Sequence, residues 1–411
     1  MTALRLPSGA RDANETDRLP SPDEAWRWLH SRLFSSTGNT VLSLVLLAVL
    51  GWVAWTFTSW LLFEANFDVV RANRRLLLVG RFPLGEEWRI WPVLYGFTVA
   101  VMWTWGAWGR VTPAALVAFA VFGVLVMPVM AGMSGTLQTL PALGLAALAY
   151  LAARRWSRGT RGQQRAQLVA GLGWVVLLPS TLALLLVRGG VDPGLWGGLY
   201  LNVIVASAAV IGALPFGILL ALGRTSSFRA LRVGSTVYIE LMRGLPLPVM
   251  LTLAWLALRH FLPAWGGLEN VDLVYRVTIA FALFTAAFIA EALRGGLSAV
   301  PRGQREAANA LGLSGMQSLS LVVLPQAVRN SLPALAGEFI GLFMMSTMVA
   351  VVGLTDMLQA ARATTEQPEF FGRQKEVLLF VGLVFWITAF GLSRLSSRLE
   401  RALSGAGTRR A

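Results

Sequence analysis

The chain has 411 residues, 55% of them hydrophobic and only 14% charged, against roughly a quarter charged in an average soluble protein. Its net charge of +14 would point to nucleic acid on a soluble protein, but here the basic residues sit between long apolar runs, where they set membrane topology, so no nucleic-acid partner is expected. The lack of cysteine excludes a disulfide framework, a thiolate zinc site and a cysteine nucleophile, and His30 and His260 are too far apart in sequence to make a recognisable metal motif.

Residues 1–38 form a polar tail with five arginines and five acidic residues, and no short apolar core ahead of a small-residue cleavage site marks a cleavable signal. A membrane-crossing helix needs about 20 apolar residues at about 1.5 Å of rise each. Val41–Phe63 is the first expected span, with Trp52, Trp55 and Trp60 as headgroup anchors at its end. Glu64–Arg89 follows as a charged loop, then Ile90–Gly109 as a second uncharged span. Residues 111–153 carry no charge and are too many for one helix, so two spans broken near Ser134-Gly135-Thr136 are expected. An arginine-rich connection, 154–165, leads to a fifth span, Ala166–Val187, and Arg188–Gly194 punctuates the chain with glycine and proline.

After that boundary Trp196–Leu222 is a clean span with Pro215 as an expected kink. The next span starts near Val233 and runs through Glu240 and Arg243. Val277–Ala290 is short and ends in Glu291 and Arg294, Leu332–Val352 contains Glu338, and Val377–Ser393 is the last span. The expectation is an all-α polytopic membrane protein of about ten spans, five on each side of the boundary. With the N-terminus cytoplasmic, the cytoplasmic segments hold 22 basic residues and the opposite ones 11, so both termini are placed in the cytoplasm. The 64–90 loop strains this assignment, with five arginines on the outer side. An extension of three spans would leave the parity of the second half unchanged.

Between two apolar blocks, Glu291–Pro325 is a polar stretch. Pro301, Gly303 and Gly312 bracket a short helix over Gln304–Leu311, in which Ala307 and Ala308 allow close approach of another backbone and Leu311 offers one apolar knob. Gly312 permits a sharp turn before a second short helix from Ser314, and Pro325 is expected to end or kink the helix there. By chemistry alone this is an ordinary amphipathic connection. Glu240 with Arg243, and Glu291 with Arg294, are three apart and can pair on one helix face, as structural pairs or as a gate. Glu338 lies inside a span, facing a cavity or holding the polar region.

The order Glu306-Ala307-Ala308, Gly312, Val322, Leu324-Pro325 resembles the EAA loop of permease subunits of ATP-driven (ABC) importers, with every position filled at the family's spacing. The segments Tyr238–Leu247, Ala290–Gly296, Val300–Gln304, Ala310–Ser314, Leu324–Arg329 and Glu338–Ile340 resemble polar-amino-acid permeases, over about half the chain. The long first half is similar to that of large permease subunits of general L-amino-acid importers. The resemblance implies a type I permease core of five helices at 195–396, preceded by a transmembrane extension at 39–190 and followed by a basic tail at 397–411. It implies an ATPase-coupling surface at Gln304, Glu306, Ala307, Ala308, Gly312 and Pro325. Glu240, Arg243, Glu291, Arg294, Glu338, Ser346 and Thr347 are candidates for a gate or pathway. It implies as partners a second permease subunit, two ATPase subunits and a periplasmic amino-acid-binding protein. No cofactor is expected on this chain, and ATP and Mg belong to the ATPase partner.

One departure stands out. Where the family carries Lys-Asp followed by small hydroxyl residues, this chain has Met344-Met345-Ser346-Thr347-Met348, so the charged contacts are expected on a partner subunit. No P-loop can be written, because the single lysine, Lys375, is followed by Glu376. No base–nucleophile arrangement is visible. The alternatives kept open are an ion-coupled secondary transporter or channel, and an ABC importer of a solute other than an amino acid.

Overall fold

The computed structural model describes residues 31, 33–108, 141–186, 189–261 and 271–408. Most of the N-terminal tail, the expected break at Ser134-Gly135-Thr136 and most of the spans around it lie outside these residues. The described residues are helical, without a strand. They fall into two compact units, Met1–Asn66 and Phe67–Ala411. In the first, helix α1 (Thr37–Ser59) starts at Ser36, whose side chain accepts from the Asn39 N–H, and continues through a π turn to Glu64. Ser43 is its one buried residue.

The second unit holds the core. Its helices are α7 (Gly198–Arg224), α8 (Arg229–Gly244), α9 (Leu247–Phe261), α10 (Leu273–Ser298), α12 (Leu324–Met345) and α14 (Gln374–Thr408), preceded by α2 (Asp68–Ala72), α3 (Arg74–Val79), α4 (Ile90–Trp108), α5 (141–156) and α6 (Thr160–Leu186). Five stretches are long and apolar enough to cross a membrane: Thr37–Glu64, Gly198–Arg224, Leu273–Ser298, Gly315–Val352 and Gln374–Arg394. A sixth forms if α8 and α9 count as one broken span. This is the type I permease architecture expected in the second half, while the full set of ten spans is not reached among the described residues.

Helices in lipid gain little from apolar burial against one another, so small residues that admit close backbone approach hold them together. α7 and α10 run side by side in the same direction. A Cβ at Gly217 would lie 2.6 Å from an Ile289 methyl, and one at Gly296 would lie 2.3 Å from the Ala327 carbonyl oxygen of α12. Ala213, Ala286, Ala290 and Leu293 complete this buried seam.

Three expectations change. The span expected from Val233 is two helices bent by 105°. Leu245 precedes Pro246 and takes the extended conformation (φ −86°, ψ 136°) that proline imposes on its neighbour. Pro325 does not end its helix. The missing N–H is absorbed by a π stretch, Ser318–Val323, and the helical path continues from Gly315 to Val352. The last helix runs past Ser393 to Thr408.

The fourth change is larger. Glu64–Arg89 is not a plain loop. Val69, Val70, Leu77, Leu78, Val79 and Phe82 are buried in the same core cluster as Trp196, Tyr200, Leu201 and Met357. Each large apolar side chain buried this way contributes about 1.5–3 kcal/mol. Gly80, at φ +69°, ends α3, and a Cβ there would lie 2.4 Å from the Gly197 Cα, so the two backbones touch. This element therefore belongs to the core, at the end from which α7 and α10 start.

Candidate functional site

The expected coupling helix is present as α11 (Arg302–Ala310), with Pro301 as its N-cap residue, a position where proline's missing N–H costs nothing. Its C-terminus closes as a Schellman motif: the Leu313 N–H donates to the Ala308 carbonyl at 3.1 Å and the Gly312 N–H to Asn309 at 2.9 Å, with Gly312 left-handed at φ +77°. Ser314 then opens the next turn with a capping box. Its hydroxyl accepts from the Gln317 N–H at 3.4 Å, and its own N–H donates to the Gln317 side chain at 2.9 Å. Local hydrogen bonds thus close both the end of α11 and the start of the next turn.

On α11, Ala308 is buried while Gln304, Glu306 and Ala307 are exposed, and Glu306 makes no ion pair among the described residues. Gln304 accepts from the Gln326 amide at 3.2 Å, which ties α11 to the start of α12 beside exposed Pro325. Leu311 is 82% exposed and Met316 is 73% exposed, two apolar side chains left uncovered on either side of the turn. The site offers a small-residue helix face flanked by apolar knobs, the shape of a ridge that inserts into a partner's cleft.

Next to it, the structure brings four of the candidate gate residues together around a fifth that sequence spacing missed. Glu291 on α10 is the hub. It accepts from Arg224 at 2.5 Å and from Arg294 at 3.0 Å, and lies 3.7 Å from Arg243. Arg224 also reaches Glu240 at 3.0 Å. The expected Glu291–Arg294 pair forms. The expected Glu240–Arg243 pair does not: each side chain turns instead to a neighbouring helix, because α8 crosses α7 and α10 rather than continuing a straight span. Arg243 also lies over the Phe288 ring at 5.7 Å. Glu338, half-buried on α12, makes no ion pair among the described residues.

The pathway candidate Ser346 lies away from the Glu291 cluster. It is fully buried at the opposite end of the bundle, where its hydroxyl accepts from the Asn202 amide at 2.9 Å and donates to the Phe343 carbonyl at 2.6 Å. Asn202 also donates to Asp356 at 3.3 Å and accepts from the Met357 N–H at 3.1 Å. Asp356 caps the helix α13 (Met357–Thr365) by accepting from the Leu358 and Gln359 N–H groups. Burial pushes the Asp356 carboxyl above its ordinary range, although these hydrogen bonds pull it down. Thr347 is half-buried and donates to the Met344 carbonyl at 3.1 Å. Met344 and Met345, which stand where the Lys-Asp pair was expected, are 50% and 46% exposed. Among the described residues no group of acidic or histidine side chains could hold a metal ion.

Comparison with known proteins agrees with this geometry. Residues 213–405 match the family described as binding-protein-dependent transport system inner membrane component. The glutamate/glutamine/aspartate/asparagine transport system permease protein BztC of Rhodobacter capsulatus is 42% identical over 243 residues, 57% of this chain and 55% of that protein. The inner membrane amino-acid ABC transporter permease protein YhdY of Escherichia coli K12 is 38% identical over 56% of this chain and 63% of its own length. The glutamate/aspartate import permease protein GltK of Escherichia coli O6:H1 is 34% identical over 211 residues, 51% of this chain and 93% of that protein. The chain thus spans under two thirds of the two longer relatives and nearly all of the short one. It belongs to the binding-protein-dependent transport system inner membrane components, the permease subunits of ABC transporters.

Proposed function

We propose that this chain is one of two permease subunits of an ATP-driven importer of polar L-amino acids. The observation that carries the reading is α11 with its Schellman turn: a small-residue ridge with exposed Leu311 and Met316, set at the exit of the core helices. α11 docks on a cytoplasmic ATPase, which holds ATP and Mg, and both termini lie in the cytoplasm, in keeping with the twofold excess of basic residues on that side. A solute-binding protein delivers substrate at the opposite end of the bundle. Polar amino acids are supported by the functions that BztC and GltK are named for. The exposed Met344-Met345 pair supports a heterodimer in which the other permease subunit supplies the charged substrate contacts.

The test is uptake of radiolabelled L-glutamate and L-glutamine by proteoliposomes containing the assembled importer. Uptake that needs the ATPase subunits, ATP and the binding protein is the expected result. Uptake by the permease subunits alone, driven by an ion gradient, would overturn the reading in favour of a secondary transporter.

A further inference from the structure

The segment that breaks the charge rule is folded. Of its five arginines, Arg89 is buried against Glu86 and the Leu184 carbonyl, and Arg75 donates to the Phe82 carbonyl. Arg71, Arg74 and Arg81 remain exposed, and the one ion pair among them at the described residues is Arg71 with surface Asp68, at 3.5 Å. They cannot swing freely as a group, because the backbone that carries them is fixed by buried Val69, Leu77, Leu78 and Phe82 and by the Gly80–Gly197 contact. The Gln367 amide donates to Asn73, between Arg71 and Arg74, at 3.2 Å, and joins this element to the stretch that carries exposed Arg362 and Lys375 along with Glu366 and Glu369. The GltK match takes up 93% of that protein in 211 residues, so most of the rest of this chain has no counterpart there.

We propose that α2, α3 and the turn to Phe82 form a basic docking platform for an acidic face of the solute-binding protein. This rests on the permease reading, which puts this end of the bundle outside the cell. Positive-inside bias selects against exposed arginine at this end, and a group of them on a backbone held by a buried apolar base is retained where a negatively charged partner must be steered and oriented. An anionic lipid surface is the competing partner, and the experiment separates the two.

The full importer is placed in nanodiscs of neutral phosphatidylcholine, and the solute-binding protein of the same system, loaded with L-glutamate or L-glutamine, is titrated while ATPase rate is read. For R71E/R74E/R81E, the concentration giving half-maximal stimulation rises about tenfold or more, while the basal and saturated rates stay at wild-type values. R71Q/R74Q/R81Q falls between, and its dependence on salt is shallower than that of wild type. Titrations that superimpose for all three proteins overturn the platform. A change seen only when anionic lipid is added overturns it in favour of a lipid contact. A wild-type importer that the binding protein does not stimulate overturns the permease reading instead.

Discussion

Arg224, the last residue of α7, bonds Glu291 on α10 across 67 positions of sequence, and its second nitrogen bonds Glu240 on α8. Three helices therefore meet at one guanidinium, and Glu291 lies 11 residues before α11 begins at Arg302. Glu291 is the least exposed member of the group, so its charge depends on the cations around it. Glu291→Gln removes the negative charge and one of the two acceptor oxygens that Arg224, Arg243 and Arg294 share. Breaking a buried pair from one side costs about 3–5 kcal/mol, and the partial exposure of Arg243 and Arg294 brings the expected loss below that range. A lower thermal midpoint in detergent, with a double-mutant cycle between Glu291→Gln and Arg224→Gln showing strong non-additivity, checks this. Additive effects would mean that the pair does not act as a unit.

A Cβ added at Gly312 would meet no atom within 4 Å, so space is not the constraint at this position. Its φ of +77° is. An alanine there is strained by about 1–2 kcal/mol. Gly312→Ala should loosen the turn and weaken ATPase co-purification, while Gly312→Pro, which also removes the N–H bonded to Asn309, should abolish it. Both variants should insert in the membrane as wild type does. Full ATPase recovery with Gly312→Pro would count against the coupling role.

Gly296 faces a backbone atom, the Ala327 carbonyl oxygen at 2.3 Å from an added Cβ, which has no rotamer by which to yield. Gly296→Leu should force α10 and α12 apart and cost at least about 1–3 kcal/mol, whereas Gly295→Leu, with open space around it, should be tolerated. Thermal midpoints of the two variants in the same detergent make the comparison.

Asp356 tests the opposite end. Its carboxyl titrates above the ordinary range in the folded state because burial disfavours the charge. A raised folded-state value means its contribution to stability is fully present below the unfolded pKa and is lost as pH rises through the folded one. Asp356→Asn keeps the helix cap without the charge. Its stability relative to wild type should therefore improve from pH 4 to pH 7, while Asp356→Leu, which removes the cap and leaves the Asn202 amide without one of its two acceptors, should be destabilised throughout. A wild-type advantage over Asp356→Asn that grows with pH would reverse the sign of this account.

Much of the polar stretch was legible because its signals are local. Proline at 301 and glycine at 312 each act on their own turn, and they bound α11 within two residues of the expectation. The cross-helix contacts were not legible. Spacing along one helix pointed Glu240 to Arg243, but only the packing of α7, α8 and α10 shows that Arg224 is nearer. The α2–α3 element was hidden because its apolar runs, Val69-Val70 and Leu76-Leu77-Leu78, are short and lie among four arginines, a texture shared with charged loops. Ser346 looked like a pathway residue from the family pattern, yet its burial depends on Asn202, 144 positions away. The bend at Leu245-Pro246 did carry a sequence signal, the restriction that proline places on the preceding residue.

The central claim is that the turn after α11 meets the ATPase. The chain has no cysteine, so Leu311→Cys places a single thiol on the most exposed apolar knob of that turn. With a cysteine scan along the ATPase surface, oxidation should give a disulfide-linked permease–ATPase pair and stop ATP-driven uptake, and reduction should restore both. Labelling of Leu311→Cys by a membrane-impermeant maleimide from outside intact cells, with no cross-link to any ATPase position, would contradict the account.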